Sequence, residues 1–241
     1  MDALESHLRR QIEHSRRFFW HRLRWRLVKR YLPADRPFSL IDVGAGAGIL
    51  GAFLADELPN AEYRFIEPLA SLERHLGEQY GEQANGRELE SFEGIGYVTV
   101  LDVIEHIEDD QEFLADLARK MAPGSLLLLT VPAMPSLWSG WDVALGHYRR
   151  YRKPDLRSLA AAMPLEVVEL SYVFPEMLPP ALVRRVRRPA SQATGPDEES
   201  AEFPDPPAFV NELAFGVGRA SQAARKVWPA GTSLYAVLRR T

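Results

Sequence analysis

Leu40-Ile41-Asp42-Val43-Gly44-Ala45-Gly46-Ala47-Gly48 decides how the rest of this chain is read. An apolar run from Phe38 to Val43 carries an aspartate near its end and closes on glycines at alternate positions. The run reads as a buried strand and Ile49 to Leu58 as the helix that follows it. Glycine permits the tight, positive-φ turn between them and lets the backbone approach a ligand. The helix that opens after the turn aims its N-terminal amides at whatever binds there. The pattern describes a nucleotide-type site at the carboxyl end of a strand in an open α/β sheet. Gly46, Gly48 and Gly51 also satisfy the dinucleotide pattern G-x-G-x-x-G, and Glu67 stands at the distance expected of a ribose-binding acid. By itself, then, the loop also admits a nicotinamide dinucleotide, or a turn with no ligand at all.

Working outward, Ala61 to Ile66 reads as a second strand ending at Glu67-Pro68, and Leu69 to Tyr80 as a helix. Residues 81 to 96 are polar and glycine-containing, and no element is assigned there. Tyr97 to Leu101 is a strand. Asp109 to Met121 is a helix, with Phe113, Leu114, Leu117 and Met121 on one face. Pro123-Gly124 turns the chain into Ser125 to Val131, a continuous apolar run suited to a central parallel strand. Pro154 to Met163 reads as a helix, and Leu165 to Val173 and Thr232 to Leu238 as strands. This alternation predicts a doubly wound sheet in one domain, residues 1–241. Residues 3 to 30 lack Gly and Pro and read as a basic amphipathic helix, the whole N-terminal element being 1–32. Residues 175–230 form a partly helical insertion or lid before the last strand. Within it, 189–208 reads as a flexible acidic loop and Phe209 to Val227 as a helix.

The 241 residues, 46% of them hydrophobic, suffice for one sizeable core. A net charge of −4 argues against bulk attraction to nucleic acid, and no nucleic-acid partner is expected. The absence of cysteine excludes disulfides, thiolate metal sites and a cysteine nucleophile, and no metal is expected. No leader-like apolar run follows Met1, and the most apolar stretch, Ser125 to Ala133, is too short for a bilayer. A cytoplasmic protein is expected, with the oligomeric state unread.

Three motifs carry a resemblance. Ile41 to Gly48 resembles the first motif of class I S-adenosylmethionine-dependent methyltransferases, an acid, a spacer and G-x-G-x-G. Tyr63-Arg64-Phe65-Ile66-Glu67-Pro68 resembles that family's second motif. Val100-Leu101-Asp102-Val103-Ile104-Glu105-His106-Ile107-Glu108-Asp109 resembles the block after the fourth strand in ubiquinone-biosynthesis-type small-molecule methyltransferases, which dehydrogenases do not normally carry. The resemblance implies a mostly parallel, seven-stranded Rossmann-like sheet with an antiparallel last strand. It implies S-adenosylmethionine as cofactor and S-adenosylhomocysteine as product. Gly44, Gly46 and Gly48 would face the methionine portion. Asp42 would orient the loop or reach the cofactor ammonium through water, and Glu67 would take the ribose hydroxyls. Asp102 and Val103 would lie under the sulfonium, with Ala45, Pro68 and His106 completing the contacts. The third strand usual in that family is not clear in residues 81–96, which leaves the adenine-side residue open between Glu88 and Glu90.

Methyl transfer is a direct displacement, so alignment matters most, and a hydroxyl or amine acceptor needs a base near neutral pH. His147 and His106 are the two candidates. Leu137 to Tyr151 resembles a block in a subgroup of bacterial class I enzymes of undefined acceptor. There Trp138 and Trp141 offer apolar walls, and Arg149 and Arg150 offer forks for a carboxylate or phosphate. The expected acceptor is an oxygen of an aromatic or acidic metabolite. The basic N-terminal helix suggests a peripheral membrane contact, and Val183 to Arg188 adds a second basic cluster that would face an anionic lipid or the acidic loop. Two readings compete, a NAD-dependent oxidoreductase and a catalytically inactive cofactor-binding interaction module.

Overall fold

The run Leu126–Pro132 is covered on both faces because successive strand residues point to opposite sides. In a computed structural model, Leu127 and Leu129 join one buried cluster with Ile41, Val98 and Val100, under Leu114 and Leu117 of a helix. Leu128 joins a second cluster with Leu40, Tyr235 and Val237, under Leu23, Leu27, Leu50 and Leu54. Residues 5, 7, 8, 16–87, 89–192 and 206–241 are described.

The strands are β1 (Phe38–Val43), β2 (Ala61–Ile66), β3 (Tyr97–Leu101), β4 (Leu126–Pro132), β5 (Leu165–Val173) and β6 (Ser233–Arg240). The helices are α1 (Phe19–Lys29), α2 (Ile49–Glu57), α3 (Ala70–Tyr80), α4 (Asp110–Lys120), α5 (Gly140–Ala144), α6 (Lys153–Ala161), α7 (Leu178–Arg187) and α8 (Ala208–Ala223). The sheet order is β2-β1-β3-β4-β6-β5. Neighbours from β2 through β4 pair parallel. β6 runs antiparallel to both β4 and β5. The chain leaves β1 toward β2 and then returns to the other side of β1 as β3. The carboxyl ends of β1 and β3 thus meet at the topological switch point, where open α/β sheets bind ligands.

The doubly wound, mostly parallel sheet and its antiparallel last strand match the expectation, but the strand count does not. Six strands are present among the described residues, not seven. The place of the seventh is marked by a single bridge from Phe65 to Asn85 and by the Gly86 N–H donating to the Phe65 carbonyl at 2.7 Å. No alternating apolar pattern follows Asn85, so nothing there can cover a strand face.

The N-terminal region also differs. Glu5, His7 and Leu8 are helical, but Arg16 and Arg17 form a turn and α1 begins only at Phe19. Asn211 of α8 fixes that start, accepting the Phe19 N–H at 2.8 Å and donating to the Arg17 carbonyl at 2.7 Å. Leu23, Leu27 and Val28 are buried. Three basic residues of α1 pair within the protein: Arg22 with Glu212, Arg24 with Asp102 and Lys29 with Glu57. One face of α1 is therefore spent on the core, and most of the preceding half of the expected N-terminal helix lies outside the described residues. Most of the acidic loop expected at 189–208 lies outside the described residues. Among those described, no helix is long and apolar enough to cross a membrane.

Candidate active site

The loop after β1 is pinned to the end of β2. Gly44 and Ala45 donate their N–H groups to the Ile66 carbonyl at 2.8 and 3.2 Å. Gly46 donates to Glu67 Oε2 at 2.7 Å, and Leu69, which precedes α3, donates to Glu67 Oε1 at 2.9 Å. Glu67 is thus the bracket between the loop and α3. It is buried, and burial pushes its carboxyl above the usual range against the pull of those two N–H groups. Each of its oxygens keeps a second lone pair, so the expected ribose contact would come on top of the bracket. Gly44, Gly46 and Gly48 all adopt positive φ. A Cβ at Gly44 would stand 2.6 Å from Val103, and one at Gly48 would stand 2.5 Å from Leu76. Torsions and surroundings thus both favour glycine at Gly44 and Gly48.

Asp42 stands behind the loop. Its Oδ1 accepts from the Thr99 hydroxyl of β3 at 2.7 Å. Burial raises its carboxyl to about 6. Asp42 therefore orients the junction of β1 and β3. Three residues near the N-terminus, Glu5, His7 and Leu8, pack around the site. Glu5 accepts from the Ser71 hydroxyl. Leu8 would touch a Cβ on Gly46 at 3.3 Å, and His7 meets Trp141 edge-on with ring centres 5.7 Å apart.

Beyond β3, Asp102 holds a left-handed φ of 57° and pairs with Arg24 at 2.7 Å. Met134 and Phe174, the other non-glycine residues with positive φ among those described, also follow the ends of strands, β4 and β5. Such conformations cost about 1–3 kcal/mol each and gather at functional edges. Glu105 is 1% exposed, and its Oε2 has no hydrogen-bond partner. Burial first, and the Asp102 charge second, hold its carboxyl well above the ordinary range.

The histidines meet across this edge. His106 and His147 lie edge to face with ring centres 4.7 Å apart. Burial, and then His147, push His106 down to about 3, so it is neutral near pH 7. His147 Nδ1 lies 3.1 Å from Asp142 Oδ1. Asp142 has no exposed surface and also takes Arg150 Nε at 2.7 Å, Ser139 N at 2.9 Å and Ser139 Oγ at 3.1 Å. Burial would raise the Asp142 carboxyl, but the His147 and Arg150 contacts outweigh it and hold it low. A carboxylate on Nδ1 fixes the tautomer in which Nε2 is free to accept a proton. Glu105, His106 and His147 also place one potential ligand atom each within 4.8 Å of one another, a group able to hold a metal ion that sequence reading did not foresee.

A family model described as a methyltransferase domain matches residues 8–170. The chain belongs to the methyltransferase-domain family. A ubiquinone biosynthesis O-methyltransferase from Caulobacter sp. (strain K31) is 28% identical over 149 residues, covering 53% of this chain and 59% of the relative. The chain thus matches little more than half the length of that curated relative. Among solved structures, phosphoethanolamine N-methyltransferase 2 of Haemonchus contortus in complex with S-adenosyl-L-methionine superposes with a TM-score of 0.56 at 15% identity, covering 90% of this chain and 52% of that one. A methyltransferase of Haloferax volcanii in complex with the Trm112 activator gives a TM-score of 0.60 at 12% identity, covering 100% and 98%. These likenesses establish the fold.

Within this methyltransferase fold, the residues expected around the cofactor gather at one place: Asp42, Gly44 to Gly48, Glu67, Asp102, Val103 and His106 all lie at the switch point. The acceptor-side expectation is corrected in part. Arg149 is paired with Asp110 at 3.1 Å and also bonds the Glu108 carbonyl, while Arg150 is held by Asp142 and the Ala133 carbonyl. Both forks are engaged by the protein's own acceptors, with Arg149 left 37% exposed at the mouth of a pocket that both arginines line. Trp141 is half-buried between His7 and Arg184, whose guanidinium lies 4.6 Å from the ring centre. Sequence reading missed Asp142, Thr99 and Arg24. For Asp142 a signal existed, because Ser139 and Asp142 stand at capping-box spacing.

Proposed function

We propose that this methyltransferase-family chain transfers the methyl group of S-adenosylmethionine to an oxygen of a small acceptor, with His147 as the base. The glycine cradle is the observation that carries the donor assignment. It sits at the switch point and admits no Cβ at Gly44 or Gly48, and Glu67 stands beside it. The sulfonium supplies an already activated methyl carbon. Gly44, Gly46 and Gly48 hold the methionine portion, and Glu67 takes the ribose hydroxyls with its remaining lone pairs. When bound, the donor would supply its methyl group to the acceptor oxygen, and His147 Nε2 would take the proton that the acceptor hydroxyl gives up. Asp142 stabilises the imidazolium so formed. His7, Leu8 and Trp141 exclude water from above.

Incubation with methyl-labelled S-adenosylmethionine and a fractionated metabolite extract should give labelled product together with S-adenosylhomocysteine. No turnover above background in any fraction would overturn the proposal in favour of an inactive cofactor-binding module. His147→Ala should lower turnover about a hundredfold, the scale of general-base catalysis, with donor affinity unchanged. The Glu105–His106–His147 group favours a second reading in which a divalent cation lowers the acceptor pKa. Loss of turnover in a chelator, restored by a divalent ion, would select that reading, and chelator-insensitive turnover would exclude it.

A further inference from the structure

A soluble core helix turns its apolar stripe inward, but α7 and α8 do the reverse. In α7, Pro179, Leu182, Val183 and Val186 stand at i, i+3, i+4 and i+7, and all four face solvent, with Val186 80% exposed. Arg185 and Arg187 flank the stripe on its two sides and are exposed, and no acid occurs in α7. Arg184, on the inward face, lies over Trp141. In α8, Asn211, Gly218 and Gln222 face inward, while Phe209, Leu213 and Val217 face out, with Phe209 75% and Leu213 66% exposed. Both helices are set on the turn Pro175–Met177. α7 continues directly from it, and a Cβ on Gly218 of α8 would stand 3.0 Å from Glu176.

We infer that the outward faces of α7 and α8 dock this chain on an anionic lipid surface. Val186 and Phe209, 80% and 75% exposed, leave most of their apolar surface available for insertion among acyl chains. The two flanking arginines sit where long cationic side chains reach headgroup phosphates while their stems follow the apolar stripe. A second copy fits worse. Pairing α7 with itself would bring the flanking arginines of both copies together with no acid on the helix to neutralise them. The face adjoins the Trp141 wall of the active site, because the Gly140 N–H donates to the Arg188 carbonyl at 2.8 Å just beyond α7. The inference stands on the surface alone and does not depend on the methyl-transfer reading.

The test is sedimentation of the full chain with vesicles of phosphatidylcholine alone and of phosphatidylcholine mixed with phosphatidylglycerol. The chain should bind the mixed vesicles, weaken as salt rises, and bind the neutral vesicles poorly. Arg185→Ala with Arg187→Ala should weaken binding about thirtyfold, the sum expected of two surface cations. Val186→Asp and Phe209→Asp should abolish binding, and both positions are exposed enough to leave folding intact. Unaltered donor binding in those variants would show that the active site remains intact. No binding to mixed vesicles, or binding unaffected by Val186→Asp, would overturn the inference. A concentration-dependent dimer in solution that dissociates on Val186→Asp would assign the face to a second copy instead. Binding that appears only when Asp197, Glu198 and Glu199 are neutralised would assign the arginines to the chain's own acidic segment.

Discussion

Between Gly44 and Gly48 the shape of the site is set by backbone torsions, whereas between Ser139 and Arg150 it is set by one buried carboxylate, Asp142. The first half needs residues without side chains, held by N–H groups on Ile66 and Glu67. The second half needs charge. Asp142 gathers a histidine, an arginine and two groups of Ser139. A site built on torsions should yield in small steps and remain recognisable. A site built on a buried ion should fail sharply when the ion is removed, because its partner is left charged and unpaired.

The largest effect is therefore expected at Asp142. Asp142→Ala should destabilise the fold by about 3–5 kcal/mol, the range for breaking one side of a buried ion pair, read from urea unfolding. Asp142→Asn should be milder for stability but should lower turnover as His147→Ala does. A loss under 1 kcal/mol for the alanine variant, on the scale of an exposed pair, would dissolve the contrast between the halves.

Asp42 comes next and tests the first half. Burial lifts its carboxyl to about 6 from an ordinary 3.8, so the folded state holds the proton more tightly than the unfolded. Its contribution is fully present below the unfolded value and is lost as pH rises through about 6. Asp42→Asn removes that dependence. Relative to the native chain, the variant should gain about 3 kcal/mol between pH 4 and pH 7, an order-of-magnitude figure from a shift of about two units. A difference in stability that does not change with pH would show that Asp42 is better solvated than its position implies.

Gly44→Ala should cost about 1–3 kcal/mol from the left-handed φ and the approach to Val103, with donor affinity falling alongside. The smallest effect is expected on the outer face of α7. Val186→Asp should change stability by less than about 0.5 kcal/mol, since the side chain is exposed.

The same contrast explains what could be read in the sequence. The torsional half was legible because glycine spacing, strand periodicity and the acid after β2 are local patterns. Glu67 and the order of strands β1 to β4 follow from such patterns, and Asp102 from the resemblance of its block to a family motif. The missing seventh strand was half legible, as the vague stretch 81–96 already showed no apolar alternation. The charged half was not legible. Arg149 and Arg150 stood out as available forks because their partners, Asp110 and Asp142, are distant in sequence or hidden on a short helix. The arginines of α1 likewise read as a surface face, although Arg22 meets Glu212 of α8 and Arg24 meets Asp102 after β3. Sequence periodicity shows which residues share a face but not what comes to cover it.

The account rests on the donor, and calorimetric titration of the full chain with S-adenosylmethionine, S-adenosylhomocysteine and NAD tests it most directly. Saturable binding of both sulfur nucleotides is expected, weakened about ten- to a hundredfold in Glu67→Ala by loss of charge-assisted hydrogen bonds, with no binding of NAD. Saturable binding of NAD and none of either sulfur nucleotide would contradict it.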